Sequence, residues 1–420
     1  MHKHRSSTLL ILSLALLAGA SMGRAQLVQV PSIGPTVGGL GNIGSSVLDN
    51  VERPLGHLSL DAGSLASARL GRLRDLVHAH RDLLEPTQAG PAVRGEVVAI
   101  DPGPSAVQSA VAVGFIMLGE ERIEGLDMHI VRLATPHGMA VDEAVRRLGR
   151  IAPGAEFTAD HLHLPSGAVP AAAATVALAT GGSGSPTIGI IDGGVAAHPT
   201  IAGAEQHGFA DGAPSPSAHG TAVASLAAGV GAMHGAAPGA FLLVADVYGR
   251  DPRGGNAVAI ARALGLMARR GVRVVNMSIV GPANPLVAKA IAQVQARGIT
   301  IVAPVGNDGP AAPSAYPASY PGVIAVTGVD GHDRPLIEAG KALHLDFAAP
   351  GADMAAASPD GALRPVRGTS FAAPLVAGLL ARKPLPTLES EAIDLGPKGP
   401  DRSYGRGLVC GACRTPLPKK

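Results

Sequence analysis

The chain has no tryptophan, and aromatics make up only 2% of its 420 residues. Stacking platforms for single-stranded nucleic acid are therefore missing. A formal net charge of +2 with no long basic run leaves no electrostatic footprint for nucleic acid of any kind. Charged residues are also scarce, at 16% against 46% apolar, which excludes wholesale disorder. Cysteine is confined to Cys410 and Cys413, one C-x-x-C near the C-terminus. That stretch has too few ligands for a zinc site, so the pair is a small terminal disulfide or a redox couple. Beyond the first residues no apolar run is long enough for a membrane span. Glycine (56) and proline (35) are plentiful, so the core has to be built from Ala, Val, Leu and Ile, in a chain with room for more than one domain.

The opening "MHKHRSSTLLILSLALLAGASMGRAQ" has a basic start, an apolar run from Leu9 to about Ala20 and a small-x-small site at Gly23-Arg24-Ala25. This order predicts a signal peptide over residues 1–25, with an uncleaved anchor as the alternative. The expected destination is the periplasm or the outside of the cell, with no membrane span in the mature protein.

Residues 26–93 form an N-terminal segment: a loose Gly/Ser/Pro-rich part, then "SLASARLGRLRDLVHAHRDLLE", which places Leu70, Leu73, Val77 and Leu84 at helical spacing. Such an amphipathic helix docks, stays solvated, or lies on a membrane surface. From 94 to 165 the order is strand (GEVVAI), helix (SAVQSAVAVG), two strands around a polar turn (FIMLGEERIEGLDMHIVRLA), helix (AVDEAVRRLGRI) and strand (EFTADHLHL). β-α-β-β-α-β is the ferredoxin-like order. Residues 166–186, small and flexible, form a linker suited to proteolytic cutting.

From 187 to 409 the rhythm changes. TIGIID, FLLVADV, VRVVNMS, ITIVAPV and GVIAVT are β-branched apolar runs without clean alternation, as buried parallel strands require, and helical stretches follow His219, Gly255 and Asn284. The expected fold is a doubly wound, mostly parallel α/β sheet preceded by a small α+β unit. Residues 410–420 are a tail. In such a sheet the site lies beyond the carboxyl ends of the strands.

Four polar residues fall at that edge. Asp192 ends the first strand in IGIIDGGV, His219 opens HGTAVASLAAG, Asn307 follows a strand in VAPVGNDGP, and Ser370 stands in RGTSFAAPLVAGLLA, just before an apolar helix containing Pro374. Each has a plain structural explanation: Asp-Gly and Asn-Asp-Gly are turn formers, a histidine at a helix start is commonly structural, and Ser370 is an ordinary N-cap. A proline in or just after the first turn need not break the helix. Together the four supply a nucleophile, a base, an anion that orients the base and a donor for an oxyanion, the parts needed for amide hydrolysis by serine. His198, His234, His161 and His163 fall outside that edge by the same reasoning.

The blocks IGIIDGGV..HP, HGTAVASLAAG, GAAPGAFLLVADVYG, VVNMSIVGP, ITIVAPVGNDGP, YPASYPGVIAVTGVD, FAAPG and GTSFAAPLVAG stand in the order found in subtilisin-like serine peptidases, which residues 187–409 resemble. The resemblance implies that Ser370 attacks the scissile carbonyl, His219 acts as base and then acid, Asp192 holds the imidazole, and Asn307 joins the Ser370 N–H in an oxyanion hole. It implies that a polypeptide substrate adds as a strand along Asn276–Gly281. Ser278 and Gly281 fit that pattern. Val280 does not, because glycine is usual there, and its branched side chain is expected to narrow the pocket for the residue N-terminal to the scissile bond (P1). Asp308 is expected to favour basic residues near that pocket. The unit before the linker then resembles a propeptide that acts as intramolecular chaperone and inhibitor, with self-cleavage between about Pro165 and Pro186. No cofactor or metal is required for this chemistry. The family's calcium loops are not recognisable, and the region after the last block is short and proline-broken. Two other readings use the same residues: a catalytically weak binding or chaperone-like protein on the same scaffold, and an esterase.

Overall fold

The structure, a computed structural model, describes residues 62–166, 177–179 and 188–417. The expected signal peptide at 1–25 and most of the linker lie outside the described residues. The first elements are α1 (Ala62–Ala79), β1 (Leu84–Pro86), β2 (Pro91–Ile100), α2 (Pro104–Ala112), β3 (Ile116–Arg122), β4 (His129–Ala134), α3 (Val141–Ile151) and β5 (Glu156–His161). β2 pairs with both β5 and β4, and β4 with β3, all antiparallel, which gives the ferredoxin-like order β5-β2-β4-β3. β1 adds to the start of β2, so the sheet begins upstream of the predicted first strand.

Alternation along these strands gives the sheet two apolar faces. Val97, Ala99, Val131 and Leu133 pack with Ala110, Val141 and Leu148 of the unit's own helices. Val98, Ile100 and Ile130 point the other way. They share a core with the helices of the second unit. Burying such side chains is worth roughly 1.5–3 kcal/mol each, so neither face is suited to water.

A short strand, β6 (Leu164–Pro165), ends this unit. The second unit follows with β7 (Ile188–Asp192), β8 (Ala204–Gly208), α4 (Ala218–Ala228), β9 (Leu242–Asp246), α5 (Ala257–Arg269), β10 (Val274–Met277), β11 (Ile279–Val280), α6 (Pro285–Ala296), β12 (Thr300–Pro304), β13 (Ile324–Val329) and β14 (Phe347–Pro350). A hairpin of β15 (Met354–Ala357) and β16 (Leu363–Val366), then α7 (Thr369–Arg382) and α8 (Leu385–Glu391), complete it. Seven parallel strands form one sheet in the order β14-β13-β12-β10-β7-β9-β8. Ile188, Ile190, Val244 and Val302 pack toward α4 and α7, whereas Ile191, Ala245, Val275 and Ile301 pack toward α5 and α6. The sheet is thus wound on both faces. Its connection order reverses at β7, the strand that ends in Asp192.

Two strands escape the apolar-run criterion. β8 is a half-exposed AEQHG at one edge, and β14 is a four-residue FAAP at the other. The proline-broken region after α7 has a defined use. Leu408 bridges to both Ala348 and Ile393, and the returning chain covers the β14 edge. Cys410 and Cys413 are joined as a disulfide beside it.

Candidate active site

Asp192 is brought to the site by the carboxyl end of β7, and its Oδ1 accepts the Gly193 N–H at 2.7 Å. Helix α4 starts directly above that loop. Ser217 caps it by accepting the Gly220 N–H at 2.9 Å, and a Cβ on Gly220 would stand 2.3 Å from the Gly193 carbonyl oxygen. Only glycine permits this approach. It sets His219 against Asp192, with Nδ1 3.0 and 2.9 Å from the two carboxylate oxygens. A carboxylate can only accept, so Nδ1 carries the proton and Nε2 is left as an acceptor. Nε2 lies 3.0 Å from the Ser370 hydroxyl oxygen, and all three residues are fully buried. The Phe371 ring packs 5.3 Å from the imidazole.

A second buried carboxylate supports the floor. Asp246, at the end of β9, accepts N–H groups from Ser215, Tyr248 and Gly249. Burial pushes its pKa up, the three main-chain bonds oppose the rise, and the nearby Asp192 adds to it.

Pro374 is the sixth residue of α7, beyond the first turn, so it does remove a helical hydrogen bond. The carbonyl left over is that of Ser370, and the Ser278 hydroxyl donates to it at 2.8 Å. Asn276 in turn donates its amide to Ser278 Oγ at 2.9 Å. The helix runs on through the proline as expected, but the missing N–H is not dispensable there, because a hydroxyl from outside the helix takes its place. Asn276, near the end of a predicted strand, carries no signal of its own for this task.

Ser370 is not the cap of α7. That position is Gly368, in the left-handed region at φ 143°, and the cap hydrogen bond comes from Asn307, whose Oδ1 accepts the Thr369 N–H at 2.8 Å. With its oxygen committed to an N–H, the Asn307 amide nitrogen must face the cleft. There it donates to Ser166 Oγ at 3.0 Å.

Ser166 belongs to the tail of the first unit, which lies along the cleft. β6 pairs antiparallel with β11, Leu164 opposite Val280 and Pro165 opposite Ile279, and the Ser166 N–H reaches the Ser278 carbonyl at 3.3 Å. One residue earlier, His163 packs against Gly281, where a Cβ would come within 2.4 Å of the ring. His163 therefore reaches the cleft wall although it lies far from the strand edge in sequence. Burial pushes its pKa down to about 4. Val280 stands on the wall of a cavity of about 380 Å³ that is also lined by Val305, Gly306 and Tyr316. Asp308, at the same cavity, is held by Arg69 and Arg72 of α1. His198 bonds Thr200 within its own loop, and His234 contacts the Arg414 carbonyl in the C-terminal segment. Among the described residues no group of three or more His, Cys, Asp or Glu side chains gathers as a metal site.

A profile of the Subtilase family matches residues 183–393. Subtilisin BL of Lederbergia lenta is 31% identical over 240 residues, which cover 53% of this chain and 87% of that one. Thermitase of Thermoactinomyces vulgaris is 34% identical over 209 residues, 47% of this chain and 74% of the relative. Fervidolysin from Fervidobacterium pennivorans, described as a keratinolytic enzyme related to subtilisin, shares the fold with a TM-score of 0.61 at 20% identity, over 80% of this chain and 65% of its own.

Proposed function

Because the chain belongs to the subtilase family of serine endopeptidases, we propose that it is an exported, self-processing peptidase whose nucleophile is Ser370. In this reading His219 takes the Ser370 proton through Nε2 and later returns it to the leaving amine. Asp192 fixes the imidazole tautomer and balances its charge while it is protonated. The Asn307 amide and the Ser370 N–H at the start of α7 hold the oxyanion, the place where charge develops in the transition state. The observation that carries the proposal is the unbroken chain of contacts from Asp192 through His219 to Ser370, with Asn307 bonded to the Thr369 N–H beside it.

The first unit is then a propeptide. Its tail lies in the cleft as a substrate would, with Leu164, Pro165 and Ser166 in register with Val280, Ile279 and Ser278. The Ser166 N–H pairs with the Ser278 carbonyl and its hydroxyl accepts from Asn307, which supports the bond following Ser166 as the one that is cut. A chaperone role is supported by the shared core. The sheet face carrying Val98, Ile100 and Ile130 covers α5 and α6, and ion pairs such as Arg262 with Glu121 surround it. Export rests on the N-terminal sequence, and no helix among the described residues is long and apolar enough to cross a membrane. The test is labelling of the processed protein with a serine-directed fluorophosphonate, together with peptide turnover. The proposal expects label on Ser370 and loss of both label and turnover in His219→Ala. Turnover that survives His219→Ala contradicts it.

A further inference from the structure

We propose that α1 is a second seal on the cleft, one that seats Arg69 and Arg72 on Asp308 as in-chain stand-ins for a basic P1 side chain. The pocket at Asp308 then accepts arginine or lysine from a substrate once α1 has left. The inference rests on the peptidase reading, since it concerns regulation and specificity of the same cleft.

Three observations lead to it. The tail of the first unit fills the main-chain track of the cleft, yet its last described residue is a serine whose hydroxyl turns to Asn307. A side chain that small leaves the adjoining cavity of about 380 Å³ open to another occupant. The group that closes this cavity comes from elsewhere in the chain. Arg69 lines it, with its Nε 2.9 Å from Asp308 Oδ2, and Arg72 Nη2 lies 2.7 Å from Oδ1. Lastly, these are the ion pairs of Asp308 among the described residues, and the carboxylate is largely shielded, with about 21% of its side chain exposed. Removing α1 leaves the Asp308 carboxylate without its two cationic partners, beside a cavity lined by Val280, Val305 and Gly306, a site that favours a slender cationic side chain over a broad ring.

The geometry also orders the events. α1 lies upstream of Ser166, so a cut after Ser166 leaves the seal joined to the propeptide, and both depart together. Strand addition by Leu164–Ser166 blocks the main-chain track, and the two arginines block the side-chain pocket. A substrate with a basic P1 residue competes with the second block directly. A neutral one cannot.

The test uses the uncut full-length chain carrying Ser370→Ala and the slender cation n-butylguanidine, its binding followed by titration calorimetry, so that no step depends on turnover. The seal predicts weak binding to this chain, binding about tenfold tighter when Arg69→Ala and Arg72→Ala are added, and loss of the gain when Asp308→Asn is added as well. Circular dichroism confirms that each variant is folded. Arg69→Gln with Arg72→Gln serves as a second pair. No gain on removing the arginines, or a gain that survives Asp308→Asn, overturns the proposal. In parallel, the processed parent is compared on peptides with Arg or Ala at P1. A higher kcat/KM for Arg supports the pocket assignment, and a preference for Ala overturns it. If the parent cleaves neither peptide and Ser370 takes no fluorophosphonate, the peptidase reading has failed, and the titration still decides the seal on its own.

Discussion

Acidification below about pH 6.5 should loosen the first unit from the second, because three buried groups at their junction change protonation on separation. His163 packs on Gly281 and donates its main-chain N–H to the Gly255 carbonyl. His161 lies between Asn284 and Thr87, and the charge of Asp142 favours its protonated form. Burial pushes both imidazoles down to about 4 from an ordinary 6.5. Asp160 accepts the Val258 N–H at the start of α5. Burial and the neighbouring Glu96 push it up to about 7 from 3.8, against Arg132 and the main-chain donors.

The signs oppose, so the protons have to be counted. Between about pH 4 and 6.5 the separated unit carries two protons on the histidines and none on Asp160, while the docked unit carries one, on Asp160. The separated state binds one proton more, and docking strengthens with pH by about 1.4 kcal/mol per unit. Between about 6.5 and 7 only Asp160 differs, and the slope reverses. The tightest docking is therefore near pH 6.5, and a fall of two pH units costs about 3 kcal/mol, or roughly a hundredfold in affinity. The assay is retention of the cut propeptide on the catalytic unit, followed by size-exclusion chromatography across that range. His163→Leu removes one of the two histidine protons, leaves the counts equal and predicts a flat profile. Retention that is level or improves toward acid in the parent, or an unchanged slope in His163→Leu, refutes the reasoning.

Other outcomes follow from single contacts. Loss of the oxyanion-hole asparagine in subtilisin itself costs on the order of 10²–10³ in kcat, and Asn307→Leu is expected to lower kcat in that range with little change in KM. Ser278→Ala strips the Ser370 carbonyl of the hydroxyl that replaces the missing Pro374 N–H. In a Ser370→Ala background, urea unfolding should show a loss of roughly 1–3 kcal/mol. Val280→Gly widens the pocket, and the kcat/KM ratio for Phe over Ala at P1 should rise about tenfold or more.

Much of the second unit was legible because buried parallel strands require β-branched apolar runs. TIGIID, FLLVADV and ITIVAPV lie within one residue of their observed bounds at each end or slightly overrun them. The edge strands were not, since AEQHG and FAAP are short and satisfy a different environment. Asp192, His219, Asn307 and Ser370 could be singled out because each closes a strand or opens a helix at one sheet edge. How Ser278 compensates Pro374 could not, because it joins residues 92 apart and neither periodicity nor composition records it. The same holds for Arg72 on Asp308, at a separation of 236, and for His163 on Gly281. Sequence pattern reports which face of an element is buried. It does not report which distant loop covers it.

The central claim, a serine peptidase that cuts its own chain, is tested most directly by intact mass of the protein without residues 1–25, alongside Ser370→Ala. The account predicts a parent split into a fragment ending at Ser166 and one beginning at Gly167, with Ser370→Ala whole. A parent that stays whole under folding conditions, or a Ser370→Ala chain cut at the same bond, contradicts it.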